Sequence, residues 1–249
     1  GYISQKILDA ETSLDPFKHI LIENFLSDDH FDAIISDQQV HFREASSTKD
    51  LINLLSSNHY KVQNFPGCTN NINEYLSLYE SRAIPSGRKG QPVEGYGITF
   101  RLSKYNNPFI ENLVKYLNGE EFKSALETKF NITVPTNIIT AIQKNLSHYE
   151  ISPHPDIREK ALTYLLNINK DSTVDNEPVP WDWCETRVIT NKNNSIVLFA
   201  PSDDTLHAVK MKYDHTKFQR TQLYGNLMST SAIAKSMNYR ELESIKESS

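Results

Sequence analysis

The feature that most limits the fold is a change of texture at Val134. From there to Met228 the chain reads as a series of strand-like runs: NIITAIQKN, ALTYLLNIN, ETRVIT, SIVLFA, LHAVKMK and FQRTQLYGNLM. Turn-forming clusters such as NKNN and APSDDT separate them. Short strands at this spacing are the pattern of a β-sandwich or jelly roll.

The residues before Val134 follow another period. HILIENFL reads as a strand, and Ser27 caps a helix over DDHFDAIISDQ. Further helical stretches fall at 49–57 and 72–81, and PFIENLVKYLNG and EEFKSALETKF continue them, the first closing on a glycine suited to a left-handed cap. Residues 84–97, IPSGRKGQPVEGYG, have no periodicity and predict a loop that could cover a site. One domain is expected: 1–133 as a helix-rich flank, 134–230 as a jelly-roll core and 231–249 as a polar tail.

Composition narrows the partners. A net charge of −5 and a pI near 5.9 give no general attraction to phosphate backbones or anionic membranes, so neither nucleic acid nor membrane is expected. No run approaches the roughly 18 apolar residues that span a bilayer, and GYISQKILDAETSLD holds no apolar stretch like that of a signal peptide. A cytoplasmic location is the expectation. Cys68 and Cys184 lack any C-x-x-C spacing and read as reduced and structural.

The chemistry is concentrated in HYEISPHPDIREKALTYLLNIN. His154 and Asp156 flank one residue, and in extended backbone positions two apart point to one face, so an imidazole and a carboxylate can converge on one cation. A third ligand is offered by His207 in PSDDTLHAVKMK. Two histidines and one carboxylate leave three octahedral positions open, the arrangement of non-haem Fe(II) oxygenases. An H-x-D alone decides nothing, and His148 and His215 are rival third ligands on neighbouring stretches.

Taken together, the order of these elements resembles the catalytic core of the Fe(II)/2-oxoglutarate dioxygenase superfamily, in its prolyl-4-hydroxylase-like branch. The similar features are His154 and Asp156 before a strand ending in Leu-Asn, WDWCET at 181–186 as a partial echo without the glycines, and Asn194 to Phe199 leading to His207 and Val209. Arg220 then follows within about a dozen positions, and HILIENFLSDDHFDAII is similar to the branch's entry segment. The resemblance implies a mainly β fold: a double-stranded β-helix core, the jelly roll of cupins, with flanking α-helices, mostly N-terminal.

It also implies Fe(II), 2-oxoglutarate as cosubstrate and O2, with release of succinate and CO2 and hydroxylation of a peptidyl proline or a small molecule. Catalytic and metal-binding roles fall to His154, Asp156 and His207. Arg220 is the expected anchor for the distal carboxylate, because a guanidinium matches a carboxylate with two parallel hydrogen bonds. Thr163, Asn167, Tyr149 and Asn145 are expected beside it. In a hairpin of LHAVKMK with FQRTQLYG, both His207 and Arg220 face inward only with an even-length loop, such as Met211 against Arg220, or with a bulge. Lys210, Lys212 and Lys217 are the fallback anchors.

Arg158, Lys160, Trp181, Trp183 and the RKG of the loop could meet an anionic or amphipathic substrate. Two other classes stay open: a cupin-like metalloprotein with non-oxygenase chemistry, and a jelly roll that only binds a ligand.

Overall fold

The computed structural model describes residues 1–65, 67–83, 95–154, 156–157, 159–170, 192–202, 205, 207–210 and 213–230, with the side chains of 150–154, 208 and 210 outside that description. The predicted strand ETRVIT, loop residues 84–94, Arg158, Trp181, Trp183, Cys184, Met211, Lys212 and the polar tail lie outside it.

All the described helices precede the first long strand: α1 Tyr2–Asp9, α2 Asp28–Ile35, α3 Thr48–Ser57, α4 Ile72–Ser81, α5 Pro108–Leu117 and α6 Glu120–Phe130. Ser27, Ser47, Asn71 and Asn107 each accept a first-turn N–H through the side chain, which satisfies donors that no helical carbonyl can reach. Spacing of three and four puts Ile110, Leu113, Val114 and Leu117 of α5 on one buried stripe, and Phe122, Ala125, Leu126 and Phe130 of α6 on another. Gly119 does not form the left-handed cap expected of it. With φ −93 it is the N-cap of α6, which starts one residue later, and the left-handed position falls at Asn131 (φ 53) instead.

The strands are β1 His19–Ile22, β2 Tyr60–Val62, β3 Thr99–Leu102, β4 Thr136–Asn145, β5 Glu150–His154, β6 Lys160–Asn167, β7 Ile196–Phe199, β8 His207–Lys210 and β9 Arg220–Ser229. β1 stops short of the predicted HILIENFL because Asn24 turns left-handed (φ 51). The short elements α1, β2 and β3 were not legible in the sequence. Seven strands form one antiparallel sheet in the order β1-β7-β6-β9-β4-β3-β2, and β5 pairs with β8 in a second. The chain crosses between sheets after β4, β5, β7 and β8, which is the jelly-roll topology.

One expectation is corrected here. β8 and β9 are not a hairpin: β8 pairs with β5, while β9 lies between β4 and β6. The odd separation of His207 and Arg220 therefore places no parity condition on Arg220.

The large sheet has two unlike faces. On β9, Thr221, Leu223, Gly225 and Leu227 alternate with Arg220, Gln222, Tyr224 and Asn226. The ladder register puts Leu223 and Leu227 with Ile142, Phe100, Leu102, Leu162, Tyr164, Leu166, Ile196 and Leu198 on one face, all within one buried apolar cluster shared with the helices. Each such side chain contributes roughly 1.5–3 kcal/mol on burial. Gly225 belongs to this face because the Tyr164 ring occupies its Cβ position, 2.2 Å from the nearest ring atom. The opposite face carries Arg220, Gln222, Asn226, Asn145, Gln143, Thr163 and Asn167, buried but polar. A polar face withdrawn from water must find its partners within the protein or in a ligand.

Candidate metal and anion site

Asp156 follows β5, and His207 opens β8, so a pair of strands from the small sheet brings both to the polar face of the large one. The His207 Nε2 lies 3.3 Å from Asp156 Oδ1. Adjacent octahedral ligands, each about 2.1 Å from an ion, are about 3 Å apart, so this separation suits two ligands of one divalent cation. The third candidate, His154, is directly opposite His207 in the β5·β8 register, which sets their backbones about 5 Å apart. Its side chain lies outside the described residues, and among those residues no three metal-binding side chains cluster.

Both described ligands are oriented from behind. Thr205 C=O stands 3.2 Å from His207 Nδ1, so that Nδ1–H donates to it and Nε2 is turned toward Asp156. The imidazole also packs on Phe199 at 5.0 Å. Asp156 is 7% exposed, and its Oδ2 accepts from the Thr163 hydroxyl at 2.6 Å, which is itself 3.0 Å from the Asn226 amide. Burial opposes the Asp156 charge, but His207, Lys160 and Thr163 outweigh it and hold the carboxyl well below the usual carboxylate range. Thr163, expected to hold cosubstrate, buttresses the candidate metal carboxylate.

Lys160 is the neighbour that sequence reasoning placed elsewhere. It was expected toward substrate, yet its ammonium sits 3.4 Å from Asp156 Oδ1 and 3.3 Å from the Tyr224 hydroxyl. Burial disfavours its charge, but Tyr224 and Asp156 win and raise its pKa. Period-2 counting back from Leu162 would turn Lys160 to the apolar side. A register shift between Lys160 and Leu162 resets the alternation and turns it to the polar one.

Arg220 is 3% exposed and lies on the polar face at the start of β9. Nη1 donates to Asn145 Oδ1 at 3.0 Å, and among the described residues Nε has no partner and no carboxylate comes within ion-pair distance. Burial pulls its pKa down to about 10 against the opposing pull of Tyr149 and Tyr213. Asn145 also accepts from Gln222 Nε2 at 3.3 Å and donates to Thr99 at 2.8 Å, while its backbone carbonyl takes the Tyr213 hydroxyl. Asn145 thus positions the guanidinium. Beside it, Gln222 Oε1 and Asn167 Oδ1 are buried without partners on directly opposed positions of β9 and β6. A buried cation with no acid beside it among the described residues is an arrangement that an anionic ligand would complete, while the two amide oxygens call for a donor.

Tyr149 stands near both centres. Burial raises its pKa, Arg220 lowers it and Asp156 raises it further. Gly97 packs against its backbone so closely that a Cβ there would meet Tyr149 Cα at 2.4 Å. Gln222, Gln143 and Asn226 share this face and were not named from the sequence; the alternation R-Q-Y-N at even positions of β9 carries the signal for Gln222 and Asn226, while Gln143 faces Gln222 from β4.

The rival ligands are engaged elsewhere. His215 is buried, with Nδ1 accepting from Ser147 N–H at 3.1 Å and Nε2 2.9 Å from the Thr48 hydroxyl. Burial lowers its pKa to about 4, so it is a neutral core histidine. His148 takes a left-handed backbone (φ 67) and packs on Tyr79. Of the fallback anchors, Lys217 is exposed, while the side chains of Lys210 and Lys212 lie outside the described residues. Cys68, whose thiol is pushed up to about 12 by burial, bonds Thr99 at 3.3 Å, an inert setting.

Among the described residues no helix is long and apolar enough to cross a membrane. No family model matches the chain, and no curated protein matches it. Among solved structures it is similar to a prolyl-4-hydroxylase from Pseudomonas putida, at 10% identity over 92% of this chain and 98% of that one, with a TM-score of 0.46. It is also similar to an oxidoreductase of the 2OG-Fe(II) oxygenase family from Burkholderia pseudomallei, at 13% identity over 76% of this chain and 94% of that one, with a TM-score of 0.37.

Proposed function

We infer that the protein is an Fe(II)- and 2-oxoglutarate-dependent oxygenase that hydroxylates a small molecule or a peptidyl residue. The observation that carries this reading is a guanidinium buried without a counter-ion among the described residues, on the same sheet face as an imidazole and carboxylate 3.3 Å apart. One half of that face suits an anion and the other a divalent cation, and 2-oxoglutarate bridges the two charges.

The donor set fits ferrous iron: imidazole and carboxylate from His207 and Asp156, with His154 opposite in the register. Iron and 2-oxoglutarate bound there would supply oxidation of a substrate C–H bond by O2, with loss of succinate and CO2. The chain's own contribution is placement. Arg220, held by Asn145, takes the distal carboxylate of the cosubstrate in the low-dielectric interior, where the pairing is strongest. Thr163 and the Thr205 carbonyl hold Asp156 and His207 at fixed orientations, which limits the reorganisation needed on metal binding.

The test is succinate release from 2-oxoglutarate in the wild-type protein and in His207→Ala, Asp156→Ala and Arg220→Met. Turnover that requires Fe(II), 2-oxoglutarate and O2 together, and that disappears in the first two variants, is the expected result. Equal turnover in wild type and His207→Ala would remove the reading.

A second reading is favoured by one contact. The Lys160 ammonium sits against the same Asp156 oxygen that faces His207, and so supplies a cation where a metal would bind. In that case the protein is a jelly roll that holds an anionic ligand without redox chemistry. Titration with Mn(II) separates the two, because the second reading requires no saturable binding that depends on Asp156.

A further inference from the structure

The polar face holds a second guanidinium for which the described residues provide no acid. Arg101 of β3 stands across from Gln143, which stands across from Gln222, so it shares the face with Arg220 two strands away. Its guanidinium lies 5.3 Å from the Phe65 ring and 5.9 Å from the Tyr224 ring, and the two rings meet edge-on. Its hydrogen bond is from Nη2 to Gln143 Oε1 at 3.3 Å, while Nε is buried without a partner. Burial draws the Arg101 pKa down with no carboxylate to restore it. The neighbouring cation, Lys160, is engaged by Asp156 and by the Tyr224 hydroxyl.

Two aromatic rings hold this guanidinium in place, so little side-chain entropy remains to be lost when an anion meets its edge. The planar N–H groups match the oxygens of a carboxylate or phosphate. Position separates Arg101 from the cosubstrate anchor: the register sets it two strands across, roughly 10 Å, and level with Gln222, two residues or roughly 7 Å along β9 from Arg220, with its guanidinium turned toward Tyr224. Through Tyr224 and Lys160, Arg101 stands three contacts from Asp156.

We propose that Arg101, seated between Phe65 and Tyr224, is the anion subsite for the molecule that is oxidised, so that this substrate carries a carboxylate or phosphate group. The assignment to the oxidised molecule rests on the oxygenase reading; the subsite itself does not.

The probes are 3-phenylpropanoate, 3-phenylpropanamide and 2-phenylethyl phosphate, with equilibrium binding followed by ligand-observed NMR. Wild type, Arg220→Met, Arg101→Gln and Arg101→Lys are compared, with circular dichroism to verify folding. An anion should bind at least tenfold more tightly than the amide in wild type and in Arg220→Met. That preference should disappear in Arg101→Gln and return in part in Arg101→Lys. Whichever anion binds more tightly identifies the source as carboxylate or phosphate. Equal binding of acid, phosphate and amide in wild type, or a preference lost in Arg220→Met but kept in Arg101→Gln, overturns the subsite. Iron-dependent succinate release without added substrate is measured alongside in wild type: its absence removes the oxygenase reading alone.

Discussion

Replacing Arg220 by methionine should stabilise the ligand-free protein and abolish its response to 2-oxoglutarate. The fall of the Arg220 pKa from 12.5 to about 10 on burial corresponds to about 3 kcal/mol of unfavourable charge burial. Methionine fills similar space without charge. Against this gain stands the charged hydrogen bond to Asn145, on the order of 1.5 kcal/mol. Asn145 Oδ1 retains Gln222 Nε2, so no orphaned acceptor is created. The net expectation is a variant more stable by about 1–2 kcal/mol, or roughly 3–6 °C in Tm for a chain of this size. Anaerobic thermal unfolding with Mn(II) and 2-oxoglutarate gives the second half of the test. At 100 times its Kd the ligand should add about 2.7 kcal/mol to wild type and nothing to the variant. A variant that is 2 kcal/mol less stable and still gains the full ligand increment would refute the reasoning.

Lys144 tests burial of charge on the opposite face. It is fully buried, bonded to Thr221 at 2.7 Å and set against Phe42 and Tyr60, and burial lowers its pKa to about 7. Because the unfolded chain holds the proton up to about pH 10.4, stability should be lowest below pH 7 and rise between 7 and 10. Urea midpoints measured across that window should climb in wild type and flatten in Lys144→Met; parallel curves would reject the assignment. Thr163→Val keeps the shape but removes the donor to Asp156, and should weaken Mn(II) binding about 10–100-fold with the fold intact. Affinity within twofold of wild type would leave Thr163 no positioning role. Gly225→Ala should cost about 1–3 kcal/mol by forcing the Tyr164 ring from its seat, read as a lowered denaturation midpoint; an unchanged midpoint would mean the ring yields freely.

Much of the local structure was legible because it depends on neighbours in the chain. The helices α2 to α6 announce themselves by cap residues and three-four spacing, and β4, β6, β7 and β9 by their runs of strand formers. The candidate ligands His154, Asp156 and His207 and the candidate anchor Arg220 could be named from the order of the elements and the family resemblance it carries. The three-residue β2 and four-residue β3 could not, because segments so short take their strand form from the ladder they join.

What the tertiary structure decided is which strands pair and which way individual side chains turn. Local pattern made β8 and β9 a hairpin, whereas sheet closure separates them, because pairing is settled by contacts distant in sequence. A shifted register turned Lys160 toward Asp156 against its own alternation. The lack of an acid beside Arg220 and Arg101 belongs to the same class of fact. The chain contains 31 acidic residues, and only the folded geometry determines that those described stay out of reach of these two guanidinium groups.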